Sequence, residues 1–293
     1  MAAGDTITQS LADSLDTVVA SARQVREQEG VMPNLVDKVT LDEGTGTSWR
    51  EISMAQLTAQ AITETTRLDN PQQMSDTAFA ITPTVVGIQT LITDRVAARV
   101  NKKSYAQLGS LAQNSIQRKK DEDGLAVIDG ATTQLNTANS ALASGFIAAA
   151  VYQISSNATE PGNPPFRAVF HGFSLKDIWD ELTAAVDTTN RADISGITAR
   201  VFTEGLRGKI AGCEIYEDGN LTIDSDGDAK GGVFAQEAIV LVQGRSPRTA
   251  TIRREDIGGG ATVMYLYDEY AYGERSAGNW LFEIIADATA PTS

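Results

Sequence analysis

Nucleophiles, bases and metal ligands are sparse in this chain of 293 residues, which has one histidine and one cysteine. His171, in "VFHGFS", ends a strand-like run just before a helix, and we expect it to shape that turn. A catalytic triad would need a serine or cysteine and a carboxylate beside it, and the chain has no GxSxG motif. Cys213 lies in the apolar run "KIAGCEIYE". It is therefore predicted to be a small buried side chain rather than a nucleophile.

The acidic stretch "DSDGDAKGG" places Asp224, Asp226 and Asp228 at alternate positions. An EF-hand loop would next need a glycine and then a glutamate, and those positions hold Ala229 and Ala235. We predict a solvated turn between strands, with incidental calcium binding as the alternative. The "GGGAT" run lacks the following helix that a phosphate loop needs. The sequence thus predicts no catalytic residue, cofactor or metal site.

Composition and charge narrow the class of protein. A hydrophobic fraction of 42% and a charged fraction of 21% are typical of a folded protein. No apolar run approaches the ~20 residues that cross a bilayer, and the N-terminal residues do not resemble a signal peptide, so we expect a cytoplasmic product without a membrane partner. The net charge of −14 argues against general affinity for DNA phosphates.

Positive charge is concentrated between Arg95 and Lys120, where seven basic residues occur and no acidic one. This pattern is typical of a solvated helix face. The alternative is a face that meets an acidic neighbour or packaged nucleic acid.

The N-terminal half predicts an arm, an extended segment and helices. Residues 5–29 carry apolar side chains at helical spacing, and such a stripe must pack on another surface to be stable. Residues 36–80 begin as a hairpin around a Gly/Thr turn and continue as polar chain with too little apolar mass for its own core. Three further helices are predicted: one after Thr82-Pro83 with Val85, Ile88, Ile92 and Val96 on its apolar face, one from Ser104 to Ile128, and one at 140–156.

Beyond the turn-rich "EPGNPP" the pattern alternates between strand and helix. "FRAVFHGF" is predicted as a strand and "SLKDIWDELTAAVD" as a helix that Ser174 caps, with Asp177 in its first turn. The tail reads as strand, turn, long strand, turn, strand. The long strand holds four of the seven tyrosines, and we predict a slip of its alternation at Asp268-Glu269 that sends the two pairs to opposite faces. A two-faced set favours frame and interface over one stacking platform.

The order of these elements resembles the major capsid proteins of tailed bacteriophages, the Hong Kong 97-type fold that encapsulin shells also use. Three stretches within residues 100–290 carry the resemblance. "SLAQNSIQRKKDEDGLAVIDG" is similar to the end of the family's spine helix, and "FRAVFHGFSLKDIWDEL" to its central strand-helix step, with Gly172 where proline is common. "GGVFAQEAIVLVQGRSPRTATIRRE", "MYLYDEYAYGE" and "GNWLFEII" resemble the closing segment.

This resemblance implies an α+β fold, no enzyme, and a coat subunit that assembles as hexamers and pentamers into an icosahedral shell around double-stranded DNA. It implies an N-terminal arm at 1–35, an extended β-hairpin loop at 36–80, a peripheral domain with the spine helix at 81–157, an α/β axial domain at 158–245 and returning strands at 246–293. Separate scaffolding, portal and decoration proteins are further expected partners. DNA would be contacted non-specifically at most, and assembly would occur in the cytoplasm of a bacterial host.

The predicted subunit interface combines apolar residues of the N-terminal arm at 1–35, residues of the extended loop, basic residues of the Arg95–Lys120 segment and two tyrosines. They are Ile7, Leu11, Leu15, Lys38, Trp49, Arg50, Arg95, Lys102, Lys103, Tyr270 and Tyr272. Some family members crosslink a loop lysine, but no motif surrounds Lys38, so no crosslink is predicted. Two alternatives stay open. One is an encapsulin-like nanocompartment shell, and the other is a soluble binding or adhesion module that uses the Asp-rich loop and the tyrosines.

Overall fold

The computed structural model describes residues 28, 30–44, 46–65, 71–99, 104–184, 209–257 and 259–292. The helices of this part are α1 Met32–Leu35, α2 Asp94–Arg99, α3 Ser104–Asp129, α4 Ser144–Ser155 and α5 Gly172–Ala184. Its strands are β1 Asp37–Thr40, β2 Trp49–Met54, β3 Asp76–Ile81, β4 Thr84–Thr93, β5 Gln134–Leu135, β6 Phe166–Phe170, β7 Lys209–Ile210, β8 Cys213–Glu217, β9 Asp228–Ala235, β10 Ile239–Arg254, β11 Ala261–Glu274 and β12 Leu281–Asp287. None of the described helices combines the length and apolar character needed to span a membrane. Of the helix predicted at 5–29, Gln28 alone falls within the described residues.

The long helix α3 confirms the prediction for Ser104 to Ile128. Its 26 residues form one rod of about 39 Å, since each residue adds ~1.5 Å. Position 124 has room only for glycine, because a Cβ there would lie 2.9 Å from Met32 and 3.2 Å from Tyr272. The helix can therefore lie close to both α1 and β11 at this point.

A four-stranded sheet packs against α3 in the order β1-β10-β11-β4. β10, β11 and β4 are antiparallel, whereas β1 runs parallel to β10. β11 keeps an unbroken register with β4 from Ala261 to Tyr270. The predicted slip at Asp268-Glu269 is therefore wrong for β11, and the irregularity lies on the partner strand, between Gln243 and Arg248 of β10. Extra residues on one strand of a pair make a bulge of this kind.

A six-stranded sheet has the order β5-β12-β9-β6-β8-β7 and carries α4 and α5. The parallel pair β6–β8 and the antiparallel pair β9–β12 form its centre. Because β12 pairs with β9, the closing segment 246–293 is divided between the two sheets. One hydrophobic core joins both sheets to α3 and α4, and Phe170, Phe234 and Ile128 are among its fully buried side chains.

Two predictions for the N-terminal half are wrong. Thr84–Thr93 is strand β4 rather than a helix, because the run "TVVGIQTLIT" is rich in β-branched residues and its pairing with β11 buries alternate positions. The predicted hairpin of β1 with β2 does not form. β1 pairs with β10, and β2 pairs with β3 in a separate two-stranded ribbon.

The start of α5 differs in its cap. The Phe173 N–H donates to His171 Nδ1 at 3.2 Å, and the Leu175 N–H donates to the His171 carbonyl at 3.1 Å. His171 therefore caps the start of α5 from the position before Gly172, which agrees with its expected role in this turn. Ser174 is buried inside the helix instead of capping it, and Asp177 accepts the Leu142 N–H at 3.1 Å.

Candidate subunit interface

Within the described residues, the most exposed apolar feature is the segment that consists of residues 49–65 and 71–81, with the β2–β3 ribbon at its base, and we call this segment the arm. The ribbon pairs Trp49 with Ile81 and Met54 with Asp76. Residues face alternate sides of a ribbon, so Ile52 and Met54 share the side that faces away from the body. Ile52 is 61% exposed and Met54 is 68% exposed. Exposed apolar groups at this density are typical of a surface that meets another protein.

Further large apolar side chains continue along the arm beyond the ribbon. They are Leu57, Ile62 and Met74, and each is exposed. A two-stranded ribbon of six residues a side is marginally stable in water by itself. The arm of the single subunit therefore depends on its anchor to the body.

Arg275 anchors the base of the arm to the body. Its guanidinium donates to Glu51 of β2 at 2.7 Å, to Asp37 of β1 at 3.3 Å and to the Glu237 carbonyl at 2.8 Å. The same group lies 5.8 Å from the ring of Trp49, close enough for a cation–π contact. One side chain thus joins β1, β2 and the turn before β10.

A small second core supports the same junction. Ile81, Val240 and Val242 are buried, and Trp49 and Phe79 pack against them with ring centroids 6.1 Å apart. The arm crosses β11 at Gly273, where a Cβ would come within 2.6 Å of Ile81. The inner side of the ribbon is therefore fixed, while its outer side is free.

The predicted interface residues of the arm base lie in this region. Trp49 is half-buried and Arg50 is exposed, and both line an open cleft of about 620 Å³ between the end of β1 and the start of β2. Lys38 is exposed on β1, and its Nζ donates to Asn34 at 3.2 Å. Arg95 is exposed on α2. Ile7, Leu11, Leu15, Lys102 and Lys103 lie outside the described residues.

Two of the four clustered tyrosines, Tyr270 and Tyr272, lie on the face of β11 that packs on α3. Tyr270 is 2% exposed, and its hydroxyl donates to Asp123 of α3 at 2.9 Å. Tyr272 packs beside it with the rings 6.1 Å apart, edge to face. Burial raises the pKa of both phenols. The interface prediction for Tyr270 is thus wrong, because this strand face packs on α3 of its own subunit.

The other two tyrosines lie on the opposite face of β11, because the regular alternation of the strand by itself separates positions 265 and 267 from 270 and 272 without the predicted slip. The rings of Tyr265 and Tyr267 stack in parallel at 5.9 Å. Tyr267 covers Gly87 of β4, and Arg248 lies 5.4 Å above its ring. Both tyrosines are half-buried on this face.

Lys120 and its neighbours explain why part of the basic segment is not an exposed face. The Lys120 ammonium is buried, and it lies 3.2 Å from Asp268 and 2.6 Å from Gln243 of the sheet. It also lies 4.8 Å from the Tyr270 ring. Asp268 is itself fully enclosed, so the pair connects the middle of α3 to the bulged part of β10 and β11.

The two other basic residues at this end of the segment are paired within α3. Lys119 bonds Asp123 at 2.5 Å, and Arg118 lies 3.5 Å from Glu122. These are exposed pairs one helical turn apart, and such pairs contribute little stability. Arg95, Arg118 and Lys119 are thus exposed basic side chains in the described part of this segment, whereas Lys120 is buried.

The residues considered for chemistry have structural roles. Burial raises the pKa of Cys213 to about 12, so its thiol stays protonated and unreactive at neutral pH. Asp224 accepts the N–H groups of Asp226 and Asp228 at 2.9 Å each, as in a closed turn. Asp228 accepts the Asn139 N–H instead of pointing into the loop. No group of three or more histidine, cysteine, aspartate or glutamate side chains within the described ranges could hold a metal ion.

Comparison with solved structures places this architecture among bacteriophage capsids. A chain of the capsid of cyanophage P-SCSP1u matches at a TM-score of 0.70 with 14% identity, over 98% of this chain and 97% of that one. The head structure of Helicobacter pylori bacteriophage KHP40 matches at 0.71 with 10% identity, over 92% and 94%. A chain of Mycobacterium phage Che8 matches at 0.69 with 15% identity, over 90% and 93%.

No family model matches the sequence, and no curated protein matches it either. The likeness is therefore one of fold, carried over nearly the whole length at 10–15% identity. The chain has the α+β fold of bacteriophage major capsid proteins, the Hong Kong 97-type fold that the order of its elements predicts.

Proposed function

We propose that this chain is the major capsid protein of a tailed bacteriophage, a subunit that assembles as hexamers and pentamers into an icosahedral shell around double-stranded DNA. The observation that carries the proposal is the fold, shared with phage capsid chains over 98% of this chain in one case. The role is structural rather than catalytic. Its location is the virion, after assembly in the host cytoplasm.

The arm supplies the physical reason for assembly. Its outer side presents Ile52 and Met54 to water in the single subunit, and covering them with a neighbouring subunit removes apolar surface from water. Arg275 holds the base so that the arm projects in one direction. Contacts between an arm and a different surface of the next subunit are heterologous, and such contacts close into rings when the rotation permits.

The remaining interface residues extend this proposal to other surfaces. Lys38, Trp49, Arg50 and Arg95 lie in described parts of the surface, and the apolar stripe of Ile7, Leu11 and Leu15 would pack on a neighbour. Lys102 and Lys103 would meet acidic groups there. In the same proposal, 1–35 is the N-terminal arm, 36–80 the extended loop, 81–157 with 246–293 the peripheral domain, and 158–245 the axial domain.

The charge of the subunit limits its contacts with nucleic acid. At −14 the chain is repelled by phosphates, so packaged DNA would be contacted non-specifically at most. Separate scaffolding, portal and decoration proteins complete the proposed set of partners.

Electron microscopy of the purified recombinant chain tests the proposal. We expect closed shells, or hexameric and pentameric rings. A strictly monomeric species at every concentration and ionic strength would overturn it.

A shortened arm gives a second test. Residues 55–75 join β2 to β3 and are exposed wherever they are described, so a short turn can replace them without cutting β1 or the second core. We expect a folded subunit that forms no closed shells. Normal particles from this variant would refute the role given to the arm.

A further inference from the structure

Two buried carboxyl groups meet at the middle of the molecule. Asp121 of α3 and Asp218, which follows β8, are both 0% exposed, and one residue, Asn220, donates a hydrogen bond to each of them at 2.9 Å. Two ionised carboxyl groups held this close in a buried site repel each other, so the site favours one proton shared between them. Within the described residues, neither carboxyl group forms an ion pair with a basic side chain.

The remaining oxygen contacts of the pair hold the chain that enters the body. The Met32 N–H donates to Asp121 Oδ1 at 2.9 Å, and the Val31 N–H donates to Asp218 Oδ2 at 3.4 Å. Gly30 passes so close that a Cβ there would lie 2.4 Å from Asp121. Asn220 bridges the two acids, with its side-chain amide on Asp121 and its N–H on Asp218, both at 2.9 Å.

The groups around the pair supply no compensating positive charge. On α3, Lys120 is engaged by Asp268, and Asp123 accepts from Tyr270. On β11, the Tyr272 hydroxyl is buried without a partner among the described residues, and the negative charge of Asp121 adds to the rise in its pKa. At the end of β8, Glu217 lies beside Gly172. Burial lowers the pKa of His171, and the negative charge of Glu217 acts against that lowering. Hydrogen bonds alone would therefore stabilise a second negative charge in this site.

We propose that Asp121 and Asp218 form a proton-operated clasp, in which a shared proton holds α3 to the end of β8 and fixes residues 30–32 between them. Loss of the proton leaves two like charges in a buried site, and their repulsion opens the clasp. Burial and the neighbouring Asp121 carboxyl raise the pKa of Asp218 from 3.8 to about 7. The clasp is a property of the folded subunit and does not depend on shell assembly.

The direction of the pH effect follows from this raised pKa. The folded state keeps a proton that the open state loses at ordinary carboxyl pKa values, so closing is favoured most at low pH. The stabilisation is complete below pH 3.8 and is lost as the pH rises through about 7. Because one proton is involved, opening should become about tenfold more frequent per pH unit up to about pH 7 and then level off.

Hydrogen exchange of the full-length chain measures this opening. The protection of the Val31 and Met32 amides, corrected for the intrinsic exchange rate, should fall about tenfold per unit between about pH 5 and about pH 7 and stay constant above. Asp218→Asn keeps the hydrogen bond but cannot ionise, so its profile should be flat. Asp226→Asn makes the same change at an exposed position and should follow the wild-type profile.

Flat protection in the wild type, or an unchanged slope in Asp218→Asn, would overturn the proposal. Should Asp218→Asn not fold, Asp121→Asn removes the same repulsion and should also flatten the profile. Infrared difference spectra of the wild-type chain between about pH 6 and about pH 8 add a direct reading. They should show the loss of a protonated carboxyl band, and its absence would equally contradict the clasp.

Discussion

Two regions of the molecule present charged and aromatic side chains: the junction between α3 and β11, and the arm. They differ in where the contact partners of their side chains lie. At the junction, Lys120 finds Asp268 and Tyr270 finds Asp123 inside the same subunit. On the arm, Ile52 and Met54 have water on their outer side. Positive charge and tyrosine content therefore mark contacts inside the subunit, whereas the exposed apolar groups of the arm mark the surface that we propose meets a neighbour.

The comparison predicts the largest loss of stability at the junction. Lys120→Met leaves the fully enclosed Asp268 carboxylate without its cation, and breaking one partner of a buried pair costs about 3–5 kcal/mol. Denaturant unfolding should show this as a lower midpoint. Lys119→Met, at the adjacent exposed pair, should change the free energy of unfolding by less than about 0.5 kcal/mol. Equal effects would mean that the buried pair does not stabilise the frame.

Packing behind α3 should give the next largest effect. Gly232→Ala places a Cβ 2.5 Å from Ile128 and 2.7 Å from the Phe282 carbonyl oxygen, and overpacking of this kind costs about 1–3 kcal/mol. Gly145→Ala is the matched control, because that position on α4 has open space and alanine favours a helix. Thermal unfolding should separate the two variants in sign. Similar melting temperatures would contradict the close approach of β9 to α3.

Removing the anchor of the arm should cost less. Arg275→Met loses the contacts to Glu51, Asp37 and the Glu237 carbonyl, and we expect about 1 kcal/mol because the group is partly open to solvent. Amide exchange in β2 and β3 should rise while exchange in β9 does not. Arg253→Met, which breaks exposed pairs with Asp94 and Glu255, should leave the arm unchanged. Unchanged exchange in β2 after Arg275→Met would show that the second core alone fixes the arm.

Sequence reasoning succeeds where the signal is local. The rod from Ser104, the helix at Ser144–Ser155 and the closing strands follow from apolar spacing and from turn residues, and their order was enough to predict the fold. The same spacing misleads at Thr84–Thr93, where apolar residues with helical spacing belong to an edge strand that β11 holds in place. The partner strand is about 180 residues away in sequence, so a local pattern does not reveal it.

The candidate interface and the contacts of α3 show the same difference between local patterns, which the sequence reveals, and long-range contacts, which it does not. The low apolar content of 36–80 predicted a segment without its own core, and the exposed arm agrees with this. The roles of Lys120, Asp121 and Tyr270 could not be predicted, because their partners Asp268, Asp218 and Asp123 come from distant parts of the chain. Arg275 was missed for the same reason, although it is the first residue after β11, which ends at Glu274.

The smallest effect on stability should come from the outer side of the arm itself. Ile52→Asp with Met54→Asp removes apolar groups that are already exposed, so the free energy of unfolding should change by less than about 0.5 kcal/mol. Ile223→Asp makes the same change at an exposed apolar residue outside the arm.

The fraction of each protein in particles, measured by electron microscopy under identical conditions, tests the central claim most directly. We predict closed shells from the wild type and from Ile223→Asp, and folded subunits without shells from the arm variant. Shells of normal size and yield from the arm variant would contradict the claim that this surface assembles the capsid.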